Sequence, residues 1–525
     1  MMFRGFLLRN ASRLACLALA VALLLAWTGC GENYRPVATP IIPIAPNPGF
    51  THFVVVLSSN GLNDPGASTT IDVSGDTAIS QATVGVLPSW AFILSGSKMY
   101  VTNSLDDTIS VFLPSSPLGV ATVSLPAGSG PVYLTSTETD PVSITPNSVY
   151  VANAGNNTVS IVSQNLDAVT ATVPVGVKPV ALAELPRQGE VFVANEGSGG
   201  LPGSVNSINT VDDTVNPPIA ACASAPWQSP VAIAARSDSD RVYVLDQGSG
   251  YVTAISTSSG TTTSTVVGCA PVGAGANFMN YDSALNRLYI ANPTTQTLSI
   301  VDASQQTFSG ASVLDVISFA AGSAACPSGC SPLSATIIPP LGGPAYVATA
   351  AVSGGQVTSS VTVVNTTTFA IQGKVPLTTV PQSCVTDTPF ELYTAASADG
   401  TRVYVGNCDA GSTFIINTAT NTLESDMLAP LSAARASALV ITGASQNGGE
   451  TTYSYRVVAG SRLRIGMTVV VQNMGDSSND GTFTIVGLAP GTFTVVNTFG
   501  VSAAGQQGTA IALAPQSPIF VVAGP

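Results

Sequence analysis

The sequence predicts an all-β fold: a β-propeller of seven or eight four-stranded blades, with a small β module inserted near the C-terminus. Three observations carry that expectation. First, one phrase recurs. "MYVTNSLDDTISVF" at residues 99–112 returns as "VYVANAGNNTVSIV" at 149–162, and shorter copies place an aromatic residue at Phe192, Tyr243, Tyr289, Tyr346 and Tyr404. Second, each unit holds four short β-rich runs separated by Gly, Asn, Asp and Pro turns. A period of about 40–60 residues with several strands per period belongs to a propeller or a β-solenoid, and four antiparallel strands make one blade. Third, the 525 residues are 45% hydrophobic and only 9% charged, with 49 Gly and 36 Pro, which supplies a large core and many turns. No long segment after residue 30 shows helical periodicity.

The N-terminus comes first in chain order. Arg4, Arg9 and Arg13 lead into the apolar run "LACLALAVALLLAW" and then "TGC" at residues 28–30. A charged region, an apolar region and small residues before a cut make an export signal. The apolar run is shorter than the ~20 residues a spanning helix needs. The "TGC" ending resembles the lipobox of bacterial lipoproteins, with Trp27 standing where such boxes usually carry Leu. That resemblance implies a signal peptide over residues 1–30 and a lipid on Cys30 as the new N-terminus. Gly31 and Glu32, rather than Asp, follow Cys30, which by the same resemblance implies an outer-membrane lipoprotein facing the periplasm or the surface. Secretion without lipid and a retained anchor are the alternatives. Residues 31–50, containing "RPVATPIIPIAPNPGF", read as a Pro-rich extended tether.

The blades are expected over residues 51–436. In the unit starting at Asn147, "SVYVAN", "TVSIVS", "AVTATVPVG" and "KPVALAEL" read as successive strands. Each blade needs neighbours to cover both of its apolar faces. "HFVVVLSS" from His52 is a degenerate copy; counting it gives eight units and favours eight blades over seven. From residue 437 the repeat stops, and residues 437–513 read as the inserted β module. Residues 514–525, with "PQSPIFVVAGP", look like the first strand of a blade. The unit at His52 lacks that strand, so the C-terminus is expected to close the ring beside residues 53–57 and remove a free sheet edge.

The phrases "YVTN", "TVSIV" and "ATVPVGVKPVALA" resemble the YVTN-repeat β-propeller family over roughly residues 50–430. The resemblance implies a propeller of the microbial surface or periplasm. It brings no catalytic motif, and members with similar blades include surface-layer proteins, lactonases and nucleic-acid binders.

The residues that carry chemistry are few. The formal net charge is −13 with 16 basic residues, so the phosphate-neutralising stripe of a nucleic-acid binder is missing. His52 is the one histidine, which leaves a nucleophile without an identifiable base. "DSSNDG" at residues 476–481 imitates the start of a calcium loop, but position 12 falls on Gly487 where a bidentate Glu belongs. Asp106, Asp107, Asp212 and Asp213 sit in similar turns. No metal site and no cofactor are called for. Trp90 and Trp227 lie near inner strands, where either packs between blades or faces the channel to stack on a ring. Asn103, Asn153, Asn195, Asn292 and Asn407, with Asp246 at the equivalent position, mark a candidate binding face; the simpler role for each is a turn hydrogen bond. The Thr five residues on, at Thr108, Thr158 and Thr297, opens the next strand of the same hairpin.

Six cysteines follow Cys30, an even number that suggests disulfides in an exported chain. Cys384 precedes an inner strand and Cys408 follows its neighbour, so the two are expected to pair across an antiparallel pair. Cys326 with Cys330, and Cys222 with Cys269, are further pairings that the spacing permits. Cys222, Cys269, Cys326, Cys330 and Cys384 each lie shortly before a Pro that opens an inner strand, which assigns them to loops on one propeller face. The functional expectation is a monomeric, lipid-anchored binding or surface scaffold, more a binder than an enzyme. Its partner is a protein or glycan, met by variable loops such as "NEGSGGLPGS" and "TAAVSGGQVTSS". The alternative is a carboxylate-based, lactonase-like hydrolase with its site at the central channel. Converging acids in the channel would favour the enzyme; Ser, Thr, Asn and apolar walls would favour the binder.

Overall fold

The computed structural model describes residues 52–94, 98–137, 147–185, 188–236, 241–257, 264–338, 343–384, 391–459 and 463–524, without the side chains of residues 117 and 118. Cys30 and the tether lie outside the described residues. Residues 52–525 form one compact unit, built of eight blades and a closed six-stranded barrel. The second strands of the blades are buried along nearly their whole length. Ser148–Asn153 is an example, whereas the outer strand of the same blade, Ala168–Pro174, alternates between exposed and half-buried. A strand covered on both faces has no polar side, which is why "VYVAN" reads as a continuous apolar run.

The buried hydrophobic residues of the blades sort into eight clusters, one between each pair of neighbouring blades around the ring. Tyr100, Leu134 and Val149 join the second blade to the third, and Val54, Tyr404 and Val521 join the eighth to the first. The ring is closed by Ser517–Ala523, which pairs antiparallel with Phe53–Ser59 and places Val522 opposite Val55. The blade therefore draws its inner strand from one end of the chain and its other three from the opposite end.

Seven blades are four-stranded and the fourth has three regular strands, ending at Ser204–Asn209. Its outer position is held by an irregular segment. Val215 bridges Ile208, and the amides of Asn216 and Ile219 donate to Ser207 and Val205, each at 2.8 Å. Pro217 and Pro218 stand between these contacts. Neither has an N–H for the ladder, so regular strand pairing stops there while the edge stays covered.

The barrel runs from a strand that begins at Leu431 to one that ends at Pro515, and those two residues face each other in register. Its chain thus leaves and re-enters the propeller at one point, between the outer strand Thr422–Leu428 and the closing strand. Pairing begins at Leu431, ahead of residue 437 where the repeat ends in the sequence. The interior is filled by Tyr453, Phe493, Val469 and Ile485, and the Tyr453 hydroxyl donates to the Asn479 carbonyl at 2.7 Å.

Candidate functional site

The candidate face is built by turns. Asn103, Asn153, Asn195, Asn292, Asn407 and Asp246 all lie at the ends of second strands, and each is no more than 1% exposed. Their side chains are engaged locally. Asn103 donates to Thr108 and Ser110, both at 3.0 Å, and accepts from the Gly85 amide. Asn153 repeats the pattern with Thr158 and Ser160. Asn292 instead donates to the Gly273 and Ala274 carbonyls and does not use Thr297. Asp246 accepts from the amides of Gln228, Ser229 and Ser249. These residues hold the face from beneath.

The segment "TAAVSGGQVTSS" is not a loose loop. It is the tip of two nine-residue strands, Ala345–Ser353 and Gln356–Val364, joined by Gly354 and Gly355 at φ 58° and 73°. Positive φ at both turn positions is what Gly supplies without steric cost.

The inner strands of six blades converge on a cavity of about 650 Å³ in the channel. Its walls are mostly aromatic and apolar, with Trp90, Tyr133, Phe278, Tyr281 and Tyr393 prominent. Trp90 both lines the cavity and packs between blades. Its ring lies 4.2 Å from Tyr133 and 4.4 Å from Phe520, and Tyr393 lies 4.5 Å from Phe520 on the far side. Burial pushes the Tyr133 and Tyr393 phenols well above their ordinary range. The polar lining is Ser89, Thr394, Asn277 and Asn280, and the charged lining is Lys178 with Glu196, paired at 2.8 Å. Trp227 is elsewhere: it is buried between the fourth and fifth blades, with its indole N–H donating to the Ile219 carbonyl at 2.9 Å.

The carboxylates singled out in the sequence are occupied by turn backbone. Asp106 accepts from the Val86 amide and Asp107 from Gly128 and Gly130. Asp212 caps its own turn through Thr214. Asp476 caps the short 3₁₀ turn Ser477–Asn479, and Asp480 accepts from the Met474 amide. Among the described residues, no three His, Cys, Asp or Glu side chains come together as metal ligands would.

Three disulfides are present. Cys384 bonds Cys408 with Cα atoms 5.3 Å apart, Cys222 bonds Cys269 at 6.5 Å, and Cys326 bonds Cys330 at 5.9 Å. All three separations suit the bond. Cys269 is not in a face loop, however. It lies within the outer strand Thr265–Pro271, where Pro271 ends that strand rather than opening the next.

A relation that the sequence reading missed runs around the ring. In several blades the tyrosine of the repeated phrase donates from its hydroxyl to the turn between the third and fourth strands of the next blade. Tyr100 reaches Asp167 at 2.8 Å, Tyr150 reaches Asp213 at 2.9 Å and Tyr346 reaches Asn421 at 2.5 Å. Each acceptor sits at positive φ, between 46° and 58°, a conformation that Asp and Asn tolerate better than other side chains. An Asp or Asn in that turn, one unit after each Tyr, was the available signal.

No protein-family model matches this chain, and no curated protein matches it. Solved structures do match. Dihydro-heme d1 dehydrogenase NirN in complex with DHE aligns over 73% of this chain and 73% of its own, at 13% identity and TM-score 0.50. AztD from Citrobacter koseri aligns over 72% of this chain and 95% of its own, at 11% identity and TM-score 0.49. A Bacteroides fragilis protein named as a 6-phosphogluconolactonase gives 72% and 95%, at 13% identity and TM-score 0.44. This chain is a β-propeller. At these identities the likeness is one of fold.

Proposed function

We propose that this chain is an exported, lipid-anchored binding propeller of the YVTN-repeat type. It holds a protein or glycan partner that places an apolar side chain or a sugar face in the channel cavity. The observation that carries this reading is the cavity lining. Aromatic rings from separate blades surround a space of about 650 Å³, within the range of small-ligand clefts. A lining of aromatic rings with Ser, Thr and Asn side chains recognises shape and apolar surface. The lactonase-like alternative needs acids that converge on a reacting centre, and the carboxylate lining this cavity, Glu196, is neutralised by Lys178. Three disulfides support an oxidising compartment, and the "TGC" sequence supports lipidation at Cys30.

Trp90 makes the reading testable, because its emission reports on the cavity while Trp227 is sealed in an inter-blade core. Titration with envelope glycan and peptide fractions is expected to change the Trp90 emission and to leave a Trp90→Phe protein silent. Steady turnover of lactones or sugar esters, abolished by Glu196→Gln, would replace the binder with the enzyme. Mass spectrometry of the membrane fraction is expected to find a lipid-modified N-terminus at Cys30; an unmodified N-terminus downstream removes the anchor.

A further inference from the structure

A second cavity, of about 620 Å³, lies where the barrel meets the seventh and eighth blades. The barrel contributes two arginines to it. Arg435 sits in the irregular stretch between Ser432 and Ser437, where the ladder to the last barrel strand slips. Arg464 comes from the connection that leads into Thr468–Gln472. Only 16 of the 525 residues are Lys or Arg, so two in one cleft of an acidic protein is a notable concentration.

Neither arginine has an ion pair among the described residues. Arg464 donates to the backbone carbonyl of Asp409 at 3.0 Å. The Asp409 carboxylate is itself held by the Ser383 and Cys384 amides, both at 2.6 Å. Arg435 donates to the Ser517 hydroxyl at 2.5 Å and to the Ser59 carbonyl at 3.3 Å. These bonds anchor the barrel to the propeller, yet each guanidinium carries five N–H donors, and most are left over. Neither side chain has a sealed nitrogen lacking a partner among the described residues, and both side chains line the cleft. Burial lowers the pKa of both guanidinium groups, against the opposing charges of Asp426 and Asp409 in the case of Arg464. Arg435 is thus a partly desolvated cation on which no carboxylate acts, one that has lost hydration without gaining Coulomb energy in return. A bound anion would supply it, and the planar fork of arginine matches a carboxylate. Leu463, Met467, Val380 and Pro515 give the cleft an apolar wall, and Gln356, Thr379, Gln382, Ser383 and Asp409 line the rest.

We propose that this cleft binds a small amphipathic carboxylate, its head group on Arg435 and Arg464 and its apolar body along the barrel wall. Calorimetric titration of the full mature protein with octanoate tests it, with octanol and inorganic phosphate as comparisons. Octanoate is expected to bind one per chain, at least about tenfold more tightly than either comparison, and to weaken as salt is raised. Arg464→Gln and Arg435→Gln should each weaken it by about tenfold or more. Because those two variants also remove barrel anchors, Gln356→Glu serves as a second probe. It adds a negative charge to the cleft wall, keeps both arginines, and should weaken octanoate as well. Equal binding of octanol, equal binding of phosphate, or no octanoate binding at all would each overturn the proposal.

Discussion

The Tyr404 hydroxyl of the eighth blade donates to the Asp76 carboxylate of the first at 2.8 Å. The bond crosses the seam where the ring closes. Arg402 joins it, with Nε 3.1 Å from the same carboxylate, and burial together with Asp76 drives the Tyr404 phenol far above its ordinary pKa. Tyr404→Phe is expected to lower stability by about 1.5–3 kcal/mol, the range for a hydrogen bond to a charged group. The comparison is Tyr289→Phe. The turn position that would accept from Tyr289 is Phe369, at φ 59°, and among the described residues no well-formed hydrogen bond reaches the buried Tyr289 hydroxyl. Burial and Asp282 push that phenol up to about 12, and nearby Arg287 opposes the rise. Its removal should be neutral or stabilising by up to about 1 kcal/mol. Urea unfolding of the two variants decides the matter: equal losses would reduce the cross-blade bond to ornament.

Glu190 predicts a pH effect. It is 4% exposed and accepts from Asn216, Ser207 and Thr257. Burial raises its pKa, and the bonds from Thr257 and Ser207 only partly offset this. A carboxyl that holds its proton more tightly when folded stabilises the fold at low pH. That contribution is lost as pH rises from the ordinary glutamate value through the raised one. Glu190→Gln should therefore be at least as stable as the parent at neutral pH. It should also flatten the decline across that window in melting curves taken from about pH 4 to 7. A parent protein with no such decline would rule out the assignment.

The C-terminal strand predicts an all-or-none loss. Ile519 and Phe520 belong to the core between the first and second blades, and Val521 to the core between the eighth and first. Three buried side chains of this size contribute about 5–9 kcal/mol, comparable with the whole stability of a domain. Deleting residues 516–525 should abolish a cooperative transition in calorimetry; an unchanged melting temperature would mean that the ring does not depend on this strand.

Cys384–Cys408 closes a short loop, with a sequence separation of 24. Replacing both cysteines by Ser should cost about 3 kcal/mol on loop-entropy grounds. Peptide mapping without reductant checks the bond itself, and finding Cys384 free or joined elsewhere removes the basis for that cost.

The blades were legible because each repeats its own apolar pattern, and the closing strand because "SPIFVVA" has the composition of an inner strand that the first unit lacks. What the sequence hid depends on non-local placement. The channel wall gathers Trp90, Tyr133, Phe278 and Tyr393 from four separate strands, and no spacing rule connects them. The turn asparagines look accessible in a polar stretch, yet they are buried by the hairpins they support. Cys269 was misplaced because Pro271 reads as the start of a strand and is the end of one. The Pro217–Pro218 pair removes the signal of a fourth strand while leaving its place filled.

Closure by the last strand sets an order on biosynthesis. The partner of Phe53–Ser59 is Ser517–Ala523, so the first blade is made early and waits for a strand that is made much later. At about 5–20 residues per second, its inner edge stays uncovered for on the order of a minute. During that interval it offers unpaired backbone to any neighbouring strand. The barrel is finished at Pro515, only just before the closing strand, and can fold while the ring is still open. A ribosome that stops short releases a chain with a folded barrel and an unsealed blade, a state that quality control can tell from the finished protein by its exposed edge alone.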